Sequence, residues 1–473
     1  MRREVIWMAA GCVALAALAG CSTSEGGSSK TDVGEIAPPA PPPPPPPPPP
    51  MSVSTGEEAA ADGVVVTGAR KMASPTESAV AERDRIAPDE DKPRNTPVPQ
   101  AGLLTAGDYD DVLNPDLYKI YLDKTLQGEL AGLDLPYVDA NQRIAIRVTD
   151  RLGKPVPLAS LQLETADGTK MFPLRTGADG AAYIYPLYDA LEPGMKVTAK
   201  AKAGAAKSAT VTADLIETGG ELVIELGGDR AVPKQLDLLL TIDATGSMSD
   251  EMEYLKQELV GILDRVESAN PGIDIQVGLI VYRDKGDEYV MRDFPLTGDI
   301  SKLKGQLSAQ GAAGGGDMEE AMQDAMAKSL DYAWRPDAVK VNLLMADAPP
   351  HDGDVASTWN SALVSRTQGI HVVSVAASGV DKRAEFLMRA MAQITGGRYL
   401  FLTDDSGIGN AHAEPTVDCY VVTRLDSLVS RVLTSLVRGE RVEPEGDEVI
   451  RTVGNYRAGV CKVDPELVSK PQE

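Results

Sequence analysis

Between residues 235 and 438 the chain alternates short apolar runs with segments of helical periodicity, and this alternation limits the possible folds more than any other feature. Leu236–Ile242 is almost continuously apolar, as expected of a strand that is buried on both faces of a sheet. In Met248–Ala269 the apolar residues instead recur every three or four positions, which is typical of an amphipathic helix. Further strand-like segments are Ile273–Tyr282, Val339–Ala346, His371–Ala376 and Arg398–Thr403, and further helix-like segments are Glu319–Ala333 and Lys382–Ile394. Repeated units of this kind predict an α/β domain with a doubly wound, mostly parallel sheet over residues 235–438.

A different period precedes this domain. Arg143–Asp150 alternates polar and apolar residues, and glycine-containing turn signals follow at intervals up to residue 228. Six or seven short strands with such turns predict a small β-sandwich over residues 142–228. Its runs Asp150–Pro157 and Thr176–Gly180 resemble those of the carboxypeptidase-regulatory or transthyretin-like immunoglobulin family, which implies a spacer or adhesion module.

The N-terminal quarter has the composition of a tether. Residues 22–108 contain no Phe, Tyr or Trp and carry 17 of the 34 prolines, ten of them in the run 41–50. Such a segment buries too little apolar surface to offset the entropy of ordering, so residues 21–108 are predicted to be a disordered, proline-rich tether. The proline run predicts a stiff polyproline II spacer of about 30 Å. Residues 109–141 are predicted to be a linker with one short amphipathic helix.

The first 21 residues predict export and lipid attachment. Arg2 and Arg3 precede the apolar run Val5–Ala17, which is typical of a secretory signal. The run ends in Leu18-Ala19-Gly20-Cys21, which resembles the lipobox of bacterial lipoproteins. The resemblance implies a signal peptide over residues 1–20 and a membrane anchor of acyl chains, palmitate among them, on Cys21. The alternative is an ordinary signal peptide with an incidental cysteine.

The residue after the lipobox bears on location. Ser22 in place of an Asp implies the outer membrane of a Gram-negative cell, with the protein facing the periplasm or the surface. A Gram-positive envelope is the alternative.

The charge excludes one class of partner. The net charge is −24, whereas a nucleic-acid-binding protein needs clustered Lys and Arg to neutralise phosphates. Residues 236–405 hold 27 acids against 15 bases, about half of the acidic excess. These acids point to a bound cation and argue against a strongly acidic partner.

Three loops of the predicted α/β domain carry oxygen ligands. Asp243-Ala244-Thr245-Gly246-Ser247 follows the first strand, Asp347 follows the 339–346 strand, and Gly314–Asp317 precedes a helix. Loops at the carboxyl ends of parallel strands share one edge of a sheet, where ligands bind. Carboxylates and hydroxyls suit Mg²⁺, Ca²⁺ or Mn²⁺ better than Zn²⁺.

The first of these loops resembles a known metal site. Asp243-x-Thr245-x-Ser247 is similar to the Asp-x-Ser-x-Ser motif of von Willebrand factor type A domains, which forms a metal-ion-dependent adhesion site. Tyr282–Glu288 and Asp347–His351 resemble a bacterial and hemicentin-like lineage of these domains. The resemblance implies a Rossmann-like fold in which Thr245 and Ser247 bind the metal directly.

The same resemblance assigns the acidic residues. It implies that Asp243 and Asp347 bind the metal directly or through water. Asp317 stands where the family commonly has a Thr and would add a third carboxylate. Three carboxylates would weaken the attraction of the cation for an acidic ligand, so that the partner contact is neutral, or the site is mainly structural, or Asp317 replaces the partner's carboxylate. Alternatively, these polar residues only cap helices and turns, since Ser247 and Asp317 stand at positions typical of helix N-caps.

The function predicted from these features is interaction rather than catalysis. The chain is expected to be a lipid-anchored envelope protein whose type A domain binds an unidentified envelope or extracellular protein through a divalent cation. No catalytic residue is predicted. The alternatives are a metal-assisted hydrolase that uses His351, and a cofactor of an envelope ATPase that remodels complexes.

Two cysteines remain for a disulfide after Cys12 leaves with the signal and Cys21 is acylated. Cys419 and Cys461 are an even pair in an oxidising compartment, so they are candidates for a bond that ties down the C-terminal tail, residues 439–473. Two free thiols are the alternative.

Overall fold

The computed structural model describes residues 102–165, 167–191, 195–203, 207–214, 220–227, 232–377, 379–407 and 415–462. The predicted signal peptide, Cys21 and nearly all of the predicted tether lie outside these ranges. Within them, no helix has both the length and the apolar character needed to cross a bilayer.

The described residues form seven α-helices and eighteen strands. The helices are α1 (Pro115–Gln127), α2 (Ser249–Ala269), α3 (Ile300–Ser308), α4 (Met322–Ser329), α5 (Val355–Gln368), α6 (Lys382–Thr395) and α7 (Leu425–Arg438). The first eight strands are β1 (Thr105–Tyr109), β2 (Ile144–Thr149), β3 (Ser160–Glu164), β4 (Lys170–Arg175), β5 (Ala181–Ile184), β6 (Lys196–Ala203), β7 (Lys207–Asp214) and β8 (Glu221–Glu225). The remaining strands are β9 (Gln235–Asp243), β10 (Asp274–Tyr282), β11 (Met291–Thr297), β12 (Val339–Ala346), β13 (Ile370–Ala376), β14 (Tyr399–Thr403), β15 (Tyr420–Arg424), β16 (Arg451–Val453), β17 (Tyr456–Arg457) and β18 (Val460–Cys461).

The largest sheet has nine strands in the order β11-β10-β9-β12-β13-β14-β1-β15-β16. The strands predicted from apolar runs, β10, β9, β12, β13 and β14, pair in parallel. The flanking pairings are antiparallel, so the whole sheet is mixed. The predicted α/β class is therefore confirmed, with antiparallel strands added on both sides of a parallel centre.

Helices cover both faces of this sheet, which explains the apolar runs. On one face Leu238 and Leu240 of β9 pack with residues of α2, α3 and α7. On the other face Leu239 packs with residues of α1, α4, α5 and α6. Successive side chains of a strand point to opposite faces, so every residue of β9 after the first is buried.

Strand β1 corrects two predicted boundaries. It lies between β14 and β15, although residues 105–108 were predicted to belong to the tether and the α/β domain was predicted to begin at 235. The sequence of β1, TAGDY, has no apolar alternation, yet all five residues are buried. Gly107 is required there, because a Cβ atom would lie 2.7 Å from the ring of Phe401.

The chain entering β1 is held by a buried carboxylate. Glu258 of α2 is fully buried and accepts the backbone N–H groups of Gly102 at 2.9 Å and Leu103 at 3.1 Å. The predicted helical linker contains α1, whose buried residues include Leu117, Tyr118, Tyr121 and Leu122. Residues 102–127 are thus an integral part of the α/β unit.

Part of the predicted C-terminal tail also belongs to this unit. Strand β16 pairs with β15, which extends the sheet beyond residue 438. Cys461 forms a disulfide with Cys419, and its N–H group donates to the side-chain oxygen of Asn114 at 2.9 Å. The segment after α7 is therefore attached to the sheet and to the N-terminal region.

The described residues between 142 and 227 form two small sheets with one core. Their strand orders are β5-β2-β8 and β4-β3-β6-β7, which makes seven strands in the described part of this region. Ile146, Leu161, Leu163, Ile184 and Val197 are fully buried between them or nearly so.

The two-sheet unit packs against α5 of the α/β unit. Arg366 of α5 pairs with Asp189, whose side chain is 5% exposed, and both N–O distances are 2.8 Å. The indole N–H of Trp359 donates to the hydroxyl of Tyr188 at 2.6 Å. A buried ion pair and an aromatic contact thus fix the position of the small unit.

Candidate metal centre

The two predicted acidic loops meet because their strands are neighbours. Strand β12 lies parallel to β9, with Met345 opposite Ile242, so both chains leave the sheet at the same edge. Asp243 ends β9 and is fully buried, and Asp347 directly follows β12 and is 7% exposed. The N–H of Asp381, in the loop after β13, donates to the carbonyl of Asp347 at 2.8 Å and fixes this loop.

Asp243 and Thr245 form the centre of the site. The loop turns back so that the N–H and the hydroxyl of Thr245 both donate to Asp243 Oδ1, at 2.9 and 2.7 Å. The Ser247 hydroxyl lies 3.3 Å from that of Thr245, and Ser247 is exposed at the rim. Asp243 Oδ2 is buried and has no hydrogen-bond partner. One carboxylate oxygen is therefore used to shape the loop and the other is left for a ligand.

Glu320 is a site residue that the sequence analysis missed. Its N–H donates to the carbonyl of Pro349 at 2.9 Å, and its backbone forms an isolated bridge with Pro350, so it is held to the Asp347 loop. Its side chain is 3% exposed, and Oε2 has no hydrogen-bond partner.

The position of Glu320 depends on a glycine. Gly315 has φ +76°, and a Cβ atom there would lie 2.9 Å from Glu320 Oε1 and 3.4 Å from the Cβ atom of Thr245. The glycine-rich loop thus leaves the space in which the Glu320 carboxyl group approaches Thr245. A larger residue at this position would be strained and would collide with the carboxyl group.

Asp317, the predicted third carboxylate, is not among the buried carboxylates of these loops. Its side chain is exposed, whereas Glu320, three residues later, is buried. The helical periodicity of Glu319–Ala333 predicts a helix from Glu319, but α4 begins only at Met322, and the bridge to Pro350 turns Glu320 inward. The available signal was the position of Glu320 directly before the buried residues Ala321 and Met322.

The buried carboxyl groups resist ionisation in the absence of a cation. Burial, followed by the charge of Asp347, raises the pKa of Asp243 to about 7. Burial, followed by the charges of Asp243, Asp284, Asp287 and Asp347, raises the pKa of Glu320 to about 9. Burial also raises the pKa of Asp347. Desolvation and mutual repulsion are the causes, and a bound cation would reverse both effects.

These residues fit a hard divalent cation. Asp243 Oδ2, Glu320 Oε2 and Asp347 Oδ1 are buried without hydrogen-bond partners. The Thr245 hydroxyl lies beside Asp243, and the Ser247 hydroxyl lies beside that of Thr245. Carboxylate and hydroxyl oxygens are ligands that Mg²⁺, Ca²⁺ and Mn²⁺ accept. Within the described ranges, no group of three or more Asp, Glu, His or Cys side chains is placed so that it could hold a metal ion by itself.

His351 has a structural partner. Its Nε2 atom lies 2.7 Å from Asp284 Oδ1, which joins the loop after β12 to the loop after β10. Arg283 donates to the carbonyls of Ala244 at 3.0 Å and Gly311 at 2.8 Å. Both side chains hold the loops of the site together.

Comparison with known proteins agrees with this geometry. Residues 237–413 match the von Willebrand factor type A domain. This part of the chain is a type A domain. Such domains are typically non-enzymatic modules that commonly mediate protein–protein interaction or adhesion, and they often bind a divalent metal at a site of this kind.

Two relatives share part of the sequence. An alpha-protein kinase of Dictyostelium discoideum is 30% identical over 128 residues, which are 27% of this chain and 20% of the relative. A putative ariadne-like RING finger protein of Acanthamoeba polyphaga mimivirus is 32% identical over 119 residues, which are 24% of this chain and 11% of the relative. The chain therefore spans a fifth or less of the length of either relative.

Two solved structures align with the chain at low similarity. The conserved hypothetical protein BatB from Bacteroides thetaiotaomicron is 13% identical, with a TM-score of 0.32, over 43% of this chain and 99% of BatB. The pilus adhesin SpaC from Lactobacillus rhamnosus GG is 13% identical, with a TM-score of 0.33, over 52% of this chain and 32% of SpaC.

Proposed function

We propose that the type A domain binds a divalent cation, which is Mg²⁺ or else Ca²⁺ or Mn²⁺. We propose further that it binds a protein partner at the edge of the sheet that holds this cation. The observation that carries the proposal is the contact of Thr245 with Asp243, which leaves Asp243 Oδ2 buried and unpartnered near Asp347. Asp243, Thr245, Ser247, Glu320 and Asp347 are the residues that would hold the cation. The cation would supply a positive centre at an otherwise acidic edge of the sheet.

The chain's own residues prepare the site for this role. The hydrogen bonds to Asp243 Oδ1 orient its carboxylate, and the Pro349 carbonyl holds the backbone of Glu320. Ser247 is exposed, so the site opens to solvent on the side where a partner can approach.

Metal binding is tested by titration of the full chain. The variant Asp243→Ala/Thr245→Ala and the wild type are titrated with Mg²⁺ by calorimetry, with Asp134→Ala, an exposed acid outside the site, as the control. We expect the double variant to lose Mg²⁺ binding and the control to keep it. Unchanged affinity in the double variant would contradict the proposed site.

We further propose that the protein is lipid-anchored at Cys21 in a bacterial envelope, at the outer membrane of a Gram-negative cell. The Leu18–Cys21 motif and the proline-rich composition of residues 22–108 support this proposal. Two acyl chains or more give stable anchoring, whereas one gives only reversible binding. Expression with a labelled palmitate analogue tests it, because Cys21→Ser is expected to abolish labelling and release the protein from membranes.

A further inference from the structure

The loops around the metal centre form a rim with a large excess of negative charge. The rim is defined here as residues 243–249, 283–290, 311–320, 347–354 and 381–383, and it contains eleven Asp or Glu residues and four Lys or Arg residues. A divalent cation would leave this rim strongly negative. The partner of the proposed site has to dock on this surface.

The bases of the rim are already paired within the chain. Lys285 donates to Asp354 at 2.7 Å. Arg383 contacts Glu319 at 2.6 Å and Asp352 at 2.5 Å. These pairs leave neither Lys285 nor Arg383 free for an incoming carboxylate.

The two remaining bases are also engaged. Arg283 is 7% exposed and donates to backbone carbonyls, and Lys382 pairs with Glu129. A carboxylate of an acidic partner would therefore be attracted only by the cation, and the surrounding acids would repel it.

One acid of the rim is free for a partner. Asp317 is exposed and makes no salt bridge to any residue that the structure describes. It follows the exposed run Ala313–Gly316, which has no side chain larger than a methyl group. An extended segment can therefore lie against this loop and place a base beside Asp317.

Three of the eleven acids of the rim are the buried carboxylates of the proposed metal centre, and they also point to a cationic ligand. Asp243, Glu320 and Asp347 are 0%, 3% and 7% exposed, and each has a buried oxygen without a hydrogen-bond partner. When ionised, these three carboxylates carry one negative charge more than a divalent cation neutralises. The proposed metal centre therefore remains negative after it has bound a cation.

We infer that the partner of the type A domain docks a segment rich in Lys and Arg on this rim, rather than delivering a carboxylate to the bound cation. The inference rests on the proposed function, because it names the partner of the same site. Complementary charge across an interface accelerates association and rejects partners of like charge.

The test uses three fluorescein-labelled peptides on the full chain, (Gly-Lys)₄, (Gly-Glu)₄ and (Gly-Gln)₄. Fluorescence anisotropy is measured with Mg²⁺ present and with EDTA. We expect only (Gly-Lys)₄ to bind, and to bind more weakly as salt is raised, since ions screen exposed charges. Binding of (Gly-Glu)₄, or no binding of (Gly-Lys)₄, would overturn the inference.

Matched variants locate the binding surface. Asp317→Lys is expected to weaken (Gly-Lys)₄ binding by about threefold or more, since each exposed charge pair contributes up to about 1 kcal/mol. Asp134→Lys changes the net charge equally at an exposed position outside the rim and is expected to have little effect. Equal effects of the two variants would mean that the affinity for the peptide depends only on the net charge of the protein, which would overturn the inference.

Calorimetry with Mg²⁺ alone separates this inference from the proposed function. If Mg²⁺ binds and (Gly-Glu)₄ binds in its presence, the proposed metal site is supported and the inference of a basic partner is wrong. If Mg²⁺ does not bind, the proposed function fails, whatever the peptides do.

Discussion

Arg389 of α6 is paired with Asp111, the second residue after β1, in the interior of the protein. Nη2 and Nε of Arg389 lie 2.7 and 3.1 Å from the two carboxylate oxygens, and the side chains are 1% and 2% exposed. The guanidinium carbon also lies 3.7 Å from the ring centroid of Tyr121, and Nη1 donates to the carbonyl of Thr416 at 2.7 Å. One side chain thus joins the N-terminal segment, α6 and the segment before β15.

Removal of this arginine is expected to destabilise the protein strongly. Arg389→Met leaves the Asp111 carboxylate buried without its partner, which costs about 3–5 kcal/mol in comparable sites. Urea unfolding measures the loss. Lys382→Ala is the matched control, because Lys382 lies on the same helix and pairs with Glu129 near α1, but both side chains are more than half exposed. Its loss is expected to stay below about 1 kcal/mol, and equal losses would contradict the role of burial.

The α/β centre was predictable because its signal is local. Strand β9 is apolar along its length, and both of its faces are covered by helices. The sequence of β1 carries no such signal, since its burial comes from β14 and β15, which lie about 300 residues later in the chain. Glu320 was missed for a similar reason. Its inward direction depends on the bridge to Pro350, a contact between distant loops that no periodicity indicates.

Glu320 and Asp317 are expected to differ in their effect on metal binding. Glu320→Gln removes a buried carboxylate from the group around Asp243 and is expected to weaken Mg²⁺ binding by about tenfold or more. Asp317→Asn changes an exposed side chain and is expected to leave the affinity within about twofold. Calorimetric titration of both variants decides the assignment. A large loss in Asp317→Asn with none in Glu320→Gln would restore the assignment made from sequence.

The buried carboxyl groups also predict how stability depends on pH when EDTA removes divalent cations. The pKa of Glu320 is raised to about 9 and that of Asp243 to about 7, so the folded protein keeps protons that the unfolded chain releases near pH 4 to 5. The free energy of unfolding is therefore expected to fall as pH rises from this range to about 7 for Asp243 and to about 9 for Glu320. The fall is up to about 1.4 kcal/mol per pH unit for each group.

Substitution of Glu320 tests the origin of this slope. Glu320→Gln cannot ionise, so its stability is expected to fall less between pH 7 and pH 9, above the pKa of Asp243. Glu440→Gln, at an exposed position away from the site, is the control and is expected to keep the slope of the wild type. Chemical denaturation at several pH values in EDTA gives the comparison. Parallel curves for the wild type and Glu320→Gln would show that Glu320 ionises normally.

The disulfide between Cys419 and Cys461 is expected to stabilise the attachment of the C-terminal segment. The two residues are 42 positions apart, and a crosslink of this span stabilises by about 4 kcal/mol in the chain-entropy estimate. Cys461 is 8% exposed, and its N–H group donates to Asn114, so loss of the bond also loosens a contact with the N-terminal region.

Dithiothreitol is therefore expected to lower the free energy of unfolding of the wild type. The variant Cys419→Ser/Cys461→Ser lacks this bond and should not respond to the reductant. Equal stability of the wild type with and without dithiothreitol, once mass spectrometry shows that the bond is reduced, would contradict a stabilising role.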